Sequence, residues 1–248
     1  MRSLLGGHTQ FILHGHSRRK SNFSAVLAII LHARYIYPDM TATSFNASTA
    51  DPWRPMVPAE GTQFLVSLTV PWWIAGGWAL DLFAETQTRA HKDLDVGVLR
   101  TDAVRVASAL EDWELFEARR GTLTHLQSGR EPRADVNSLW CRPAGAKEWV
   151  MELMLNDAED NFWVYRRDRR IRSPLQVAIR HSREGIPYLA PEIQLLFKSH
   201  ATRPQDLADF ESMLPRLDRA ARAWLRGAIA KADHLHPWLH AIDSTKSC

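Results

Sequence analysis

Cysteine is nearly absent from this 248-residue chain, with Cys141 and Cys248 the only two. Two thiols cannot form a disulfide framework. That excludes a small cross-linked scaffold and makes a reducing, cytoplasmic setting the simplest expectation. Long apolar runs are missing too. The nearest approach, Ala25–Leu31, is far shorter than the roughly 20 residues needed to cross a bilayer, so no membrane partner is expected. Charge of one sign is also in short supply. A net charge of +3 implies no field strong enough to make a polyanion the default ligand. There is no internal repeat, no Cys-x-x-Cys pair and no Ser-His-Asp order. His234, His236 and His240 lack the spacing of a standard zinc site and read as a frayed terminus. What remains is a chain that is 45% hydrophobic, long enough for one or two domains with sizeable cores.

The informative residues are acidic. Asp93 and Asp95 stand in the run His91-Lys92-Asp93-Leu94-Asp95-Val96-Gly97-Val98-Leu99, which reads as a strand. Residues two apart share one face of a strand, so the two carboxylates would project together, with Leu94 turned to the core. Carboxylates forced together repel unless a cation neutralises them. Mg2+ prefers oxygen ligands and commonly binds substrate phosphates as well. Upstream, Trp72-Trp73-Ile74-Ala75-Gly76-Gly77-Trp78-Ala79-Leu80-Asp81 reads as a strand, a glycine turn and a helix. Glycines there let the backbone approach an anion, and a helix N-terminus adds N–H donors. A phosphate cradle at Gly76 and Gly77 beside metal-binding carboxylates is equipment for nucleotidyl transfer.

The segments Trp73–Asp81, Thr88–Val96 and Pro191–Lys198 resemble the aminoglycoside 2''-adenylyltransferase-like family of the nucleotidyltransferase superfamily that includes DNA polymerase beta. The resemblance spans roughly Trp53 to Asp218. It implies a Mg2+-dependent enzyme with a two-metal site that moves AMP, or another NMP, from ATP or another NTP. The acceptor would be a hydroxyl of a small molecule, an aminoglycoside-like antibiotic above all. A tRNA-modifying toxin and a non-catalytic nucleotide-binding relative are the alternatives. Where many superfamily members follow the first glycine with serine, this chain has Gly77 and then Trp78, so the backbone must do more.

A third carboxylate on a neighbouring strand normally completes such a site. Glu152, alone in the apolar run Trp149–Asn156, is the first candidate, because burying it without a partner would be costly. Relatives usually carry Asp there. Asp135 is the rival. Arg89 is placed to reach a triphosphate. In related transferases a Lys at the start of the helical part contacts nucleotide phosphates, which points to Lys198, with Asp206 following. Trp78 and Trp163 are candidates to stack on a base or sugar. Asp157, Glu159 and Asp160 could attract a polycation. The run Arg166–Arg172 reads as a solvated strand and loop, or as a nucleic-acid patch.

The fold expected is α/β (α+β): a nucleotidyltransferase-type mixed sheet with helices behind it over 53–188, then a small C-terminal helical region over 189–248. Helices are expected at Pro58–Leu68, Gly77–Phe83, Ala103–Glu111, Glu192–His200, Pro204–Leu214 and Arg216–Ala232. Strands are expected at Trp72–Ala75, Leu94–Leu99, Glu114–Ala118, Asp135–Arg142, Glu148–Asn156 and Phe162–Arg166. Residues 1–52 read as a poorly ordered N-terminal extension. Arg18-Arg19-Lys20 ahead of Ala25–Leu31 imitates a signal peptide, but His32-Ala33-Arg34-Tyr35 supplies no small-x-small cleavage site. Upstream sequence from a misplaced start, with Met40 as the alternative, is the simpler account.

Overall fold

In a computed structural model of the protein the described residues are 47–244. The expected extension over 1–46 and the Met40 start therefore lie outside them. Alternation of apolar and polar residues builds the sheet. Along β6 (Met151–Glu159) the side chains of Met151, Leu153 and Leu155 are buried, whereas Glu152 and Met154 are half-exposed on the opposite face. That is the period-2 pattern of a strand with one face in the core. β6 pairs in parallel with β2 (Asp95–Leu99), and in this register Glu152 lies opposite Asp95. The N–H of Glu152 also donates to the carbonyl of Leu94 (2.9 Å), which extends the pairing one residue ahead of β2, towards Asp93.

Around this pair the sheet grows outward. β1 (Trp72–Ile74) runs antiparallel to β2, and β10 (Pro187–Leu189) parallel to β1, with β9 (Ile179–His181) beyond it. On the other side β5 (Ser138–Pro143) pairs with β6. The hairpin of β3 (Trp113–Arg119) and β4 (Thr122–His125) completes that edge, giving the order β4-β3-β5-β6-β2-β1-β10-β9. β7 (Phe162–Val164) and β8 (Arg172–Pro174) branch from the end of β6.

Helix starts follow local chemistry. Pro58 opens α1 (Pro58–Leu65), and the Glu60 carboxylate accepts from the N–H of Val57. α2 (Gly76–Ala84) follows β1 directly, α3 (Ala103–Ala109) follows β2, and α4 (Leu175–Ala178) is a single turn. Pro191 opens α5 (Pro191–Ser199), and Pro204 opens α6 (Pro204–Met213). Asp218 caps α7 (Arg219–Ala232) through the N–H of Ala221, which is why that helix begins three residues later than the apolar pattern predicts. α8 (Trp238–Ser244) closes the described chain. One core unites sheet residues such as Trp73, Val96 and Leu153 with helix residues such as Leu195, Phe210, Leu225 and Trp238. The mixed sheet followed by C-terminal helices is the architecture expected.

Two readings are corrected. The C-terminal histidines are not all in a frayed end. His236 is buried, its Nε2 lies 2.9 Å from the carbonyl of Ser199 and its Nδ1 accepts from the N–H of Trp238. That ring is the neutral tautomer with Nε2 as donor, and it ties α8 to the end of α5. Trp163 is not exposed for stacking on a ligand: it is fully buried and donates to the Asn156 side chain (3.0 Å).

A Cβ placed on Gly97 would overlap the indole of fully buried Trp73 on the neighbouring strand. Gly97→Ala is therefore expected to lower the unfolding free energy by about 1–3 kcal/mol, the usual cost of overpacking a core. Urea denaturation measures it, and an unchanged midpoint would show that Trp73 moves aside freely.

Candidate active site

The register of β2 and β6 brings one carboxylate oxygen from each of Asp93, Asp95 and Glu152 within 4.8 Å of one another. All three side chains are half-buried. Burial raises the proton affinity of Asp95 well above the ordinary carboxylate value. The nearby Glu152 and Asp93 raise it further, and Lys198 and Arg203 partly oppose them. Glu152 is raised chiefly by burial, with hydrogen bonding to Ser138 opposing and the charge of Asp93 adding. An all-oxygen donor set that is repulsive when empty fits a hard divalent cation, which would replace the retained protons. Asp135, the rival third carboxylate, is instead ion-paired with Arg119, and half of its side chain is exposed.

The glycine turn stands directly against this group. Gly76 adopts φ +63, a left-handed conformation that suits glycine, and a Cβ there would overlap the Asp95 carboxylate. The N–H of Gly76 donates to the Gln194 side chain on α5 (2.9 Å), so the turn is fastened to the helical region. Gly77 faces Arg89 and His91, which a side chain at that position would displace.

The loop between α2 and β2 is held by Asp81. Its carboxylate accepts from the N–H and hydroxyl of Thr88 (3.0 and 2.6 Å), and His91 Nε2 lies 2.5 Å away. The Trp78 ring lies against His91, with centroids 4.3 Å apart and the planes tilted by 34°, and so packs on this loop. Arg89 forms a two-point pair with Asp209 (3.0 and 3.1 Å). Asp209 also receives the Lys198 ammonium at 2.7 Å, and Lys198 reaches Asp206 at 3.1 Å. Arg203 completes the series on Asp206 (2.8 Å). Hydrogen bonds from Arg203 and Lys198 hold the Asp206 carboxyl down at about 2 despite its burial. Arg89 is thus neither a solvated loop residue nor free, and Lys198 is buried rather than a helix end in solvent.

Glu152 lies at the edge of one cleft, and Asp93, Asp95, Gly76, Gly77, Arg89, Lys198, Arg203 and Asp206 line the adjoining one, of about 380 Å³. The same cleft receives Arg166 and Arg167, from the run read as a solvated strand or nucleic-acid patch. The sequence signal for them was present, an arginine pair directly after a buried apolar strand, but strand alternation does not tell which wall such a pair faces. Asp157 also lines the cleft, yet it is paired with Arg100 (3.3 Å) and Arg169 (3.7 Å). Glu159 is paired with Arg169 and Arg172. Both acids are thus engaged by arginines, whereas Asp160, the third acid expected to attract a polycation, is exposed at the turn after β6.

The family described as aminoglycoside-2''-adenylyltransferase matches residues 62–213 of this chain. A search of curated protein sequences returns no match. Similar solved structures include the lincosamide antibiotic adenylyltransferase LnuA bound to lincomycin. It is 17% identical with a TM-score of 0.43, covering 68% of this chain and 99% of that one. ANT(2'')-Ia in complex with adenylyl-2''-tobramycin is 12% identical with a TM-score of 0.46, covering 68% and 92%. An antigenic nucleotidyltransferase-like protein from Paracoccidioides brasiliensis is 18% identical with a TM-score of 0.43, covering 82% and 96%.

Because the folded state raises the proton affinity of Asp95 above its unfolded value, its contribution to stability is present below the ordinary carboxylate range. That contribution is lost as pH rises through the raised value. Metal-free protein is expected to melt at a falling temperature over that rise, and Asp95→Asn to remove much of the fall. At neutral pH the variant should melt higher, by roughly 2–4 °C per kcal/mol of repulsion relieved. Scanning calorimetry in chelator checks this, and a lower melting temperature with the same pH slope would contradict it.

Proposed function

This chain belongs to the aminoglycoside-2''-adenylyltransferase family, and on that premise we propose that it moves AMP from ATP onto a hydroxyl of a small acceptor, with Mg2+ held by Asp93, Asp95 and Glu152. The enzyme is a nucleotidyltransferase; the nucleotide, the metal and the residue roles are our reading. The observation that carries it is the convergence of three carboxylate oxygens within 4.8 Å at the wall of a cleft rich in lysine and arginine. When bound, the cation supplies charge neutralisation at the α-phosphate and at the attacking and leaving oxygens.

The chain's own residues do the rest. Lys198, Arg203 and Arg166 line the cleft around Asp93 and Asp95 and would hold the triphosphate, with the Gly76–Gly77 turn giving its backbone room to approach. The acceptor oxygen attacks the α-phosphorus, the bond from that phosphorus to the oxygen bridging the β-phosphate breaks, and pyrophosphate leaves. The hydroxyl proton passes to the Glu152 carboxylate, whose proton affinity burial has already raised. A cytoplasmic setting belongs to the same reading, since ATP is the proposed co-substrate. Family membership makes an aminoglycoside the first acceptor to assay, with tRNA as the alternative.

Incubation with labelled ATP, Mg2+ and an acceptor panel, with product masses measured, tests the reading. Glu152→Gln is expected to lower turnover by about 10²–10⁴-fold, with the KM for ATP changed by no more than about threefold. Asp135→Asn should have a mild effect. The reverse pattern would move the third-carboxylate role to Asp135, and near-wild-type turnover in Asp93→Asn would remove the metal assignment altogether.

A further inference from the structure

Helix α5 turns one face to the cleft that holds Asp93 and Asp95. Gln194, Phe197 and Lys198 line it at the i, i+3, i+4 spacing of a single helical face. The charge of Lys198 is already engaged, by Asp206 at 3.1 Å and Asp209 at 2.7 Å. Gln194 is different, because its amide is used at one end only. Its Oε1 accepts from the N–H of Gly76 at 2.9 Å. A backbone N–H can only donate, so that bond fixes which end of the amide is oxygen. The NH2 end is left facing away from Gly76, and among the described residues Nε2 has no hydrogen-bond partner. The side chain as a whole is buried, with 7% of its residue surface exposed, yet Nε2 is not sealed in the core. The space open to it is the cleft that Gln194 lines.

The glycine turn cannot supply such a donor from its own side chains. Ala75-Gly76-Gly77-Trp78 carries no hydroxyl and no amide side chain. The Gly76 N–H is occupied by Gln194, whereas Gly77 lines the cleft and its N–H has no partner among the described residues. Gly76 packs so tightly on the Asp95 carboxylate that a Cβ would overlap it, so the Gln194 amide stands beside the carboxylate group. A neutral donor is suited to that place, since it can bind an anion without drawing the carboxylates into ion pairs. An amide fastened at one end also has little rotamer freedom left to lose when an oxyanion reaches the other. An unpartnered donor in a buried side chain is costly unless a ligand or water satisfies it.

We propose that Gln194 is a phosphate-binding residue of this cleft. Its amide oxygen holds the Gly76 N–H, and its amide NH2, together with the Gly77 N–H, donates to a non-bridging phosphate oxygen of the triphosphate. The inference rests on the nucleotidyl-transfer reading and adds to it a side-chain donor that the glycine turn lacks. One residue thereby couples the shape of the turn to the anion in front of it.

Calorimetric titration of the full chain tests this with two probes in Mg2+, inorganic tripolyphosphate and a non-transferable α,β-methylene ATP analogue. Amide hydrogen exchange at Gly76 reports in parallel whether the turn stays fastened. Gln194→Met removes both ends of the amide. Gln194→Glu keeps an oxygen for the Gly76 N–H and removes only the donor. Both probes are expected to bind Gln194→Met about tenfold more weakly than the wild type, the effect of one lost hydrogen bond to a charged group. Gln194→Glu should bind them more weakly still, because it sets a carboxylate against the phosphate, while exchange at Gly76 stays slow. A residue that only fastens the turn would give the opposite order, with Gln194→Glu binding like the wild type. That result would overturn the proposal. So would unchanged or tighter binding in Gln194→Met, which would make the released Gly76 N–H the phosphate donor. Weakening of the analogue without weakening of tripolyphosphate would place the contact on the nucleoside and overturn it as well. If Gln194→Glu does not fold, the Gln194→Met titrations decide. A wild type that binds tripolyphosphate through Gln194 but not the analogue would remove the nucleotide reading and leave the phosphate contact standing. A wild type that binds neither would overturn both.

Discussion

Three carboxylates held within 4.8 Å on neighbouring strands repel one another, and the fold keeps them there at a cost. The pairing of Asp95 opposite Glu152 in parallel β2 and β6 fixes their separation. It cannot be relaxed without shifting strands whose other faces form the core, since a one-residue slip would send Glu152 inward and Leu153 out. Burial raises the proton affinities of Asp95 and Glu152, and the proximity this register imposes adds to the rise. Carboxylates whose proton affinity is raised in this way are suited to exchanging protons for a divalent cation, as the proposed metal-dependent transfer would require.

The surrounding cations are placed with the same economy. Lys198 and Arg203 lower the proton affinity of Asp95 at a distance, while their own direct partners are Asp206 and Asp209. Asp209 in turn holds Arg89, whose loop ends at Asp93. The chain Arg89–Asp209–Lys198–Asp206–Arg203 thus connects the carboxylate loop to helices α5 and α6. Burying such a network is tolerable because each buried charge has two partners: Lys198 has Asp206 and Asp209, Asp209 has Arg89 as well, and Asp206 has Arg203. Its consequence is positional: Arg89, Lys198 and Arg203 are held in fixed orientations, as the proposed binding of a triphosphate would require.

Much of this was legible in the sequence, for identifiable reasons. Asp93, Asp95 and Glu152 were readable because strand alternation has a fixed period and because a lone acid in the apolar run 149–156 demands a partner. Gly76 was readable from its turn, although the neighbour that demands a glycine there is the Asp95 carboxylate. Helices α5 and α6 were readable from proline at their starts, and α7 from its Ala/Arg/Leu-rich run, although not its Asp218 cap. The strands β8, β9 and β10 were not, since three-residue segments take their structure from pairing partners distant in sequence, and β10 even begins with Pro187. The destinations of Arg166, Arg167, Trp78 and His236 were hidden for a related reason. Each is decided by which element packs opposite, as with Trp78 on His91 and His236 on Ser199. The long-range ion pairs that engage Asp157 and Glu159 are equally invisible to local pattern.

The central claim is that the Asp95–Glu152 register builds a metal site. Counting bound Mn2+ by electron paramagnetic resonance, in the presence of a non-transferable ATP analogue, tests it most directly. About two saturable ions per chain are expected in the wild type, falling to about one in Glu152→Gln, with binding largely lost in Asp95→Asn. The same number of ions bound with the same affinity in all three proteins would contradict the account.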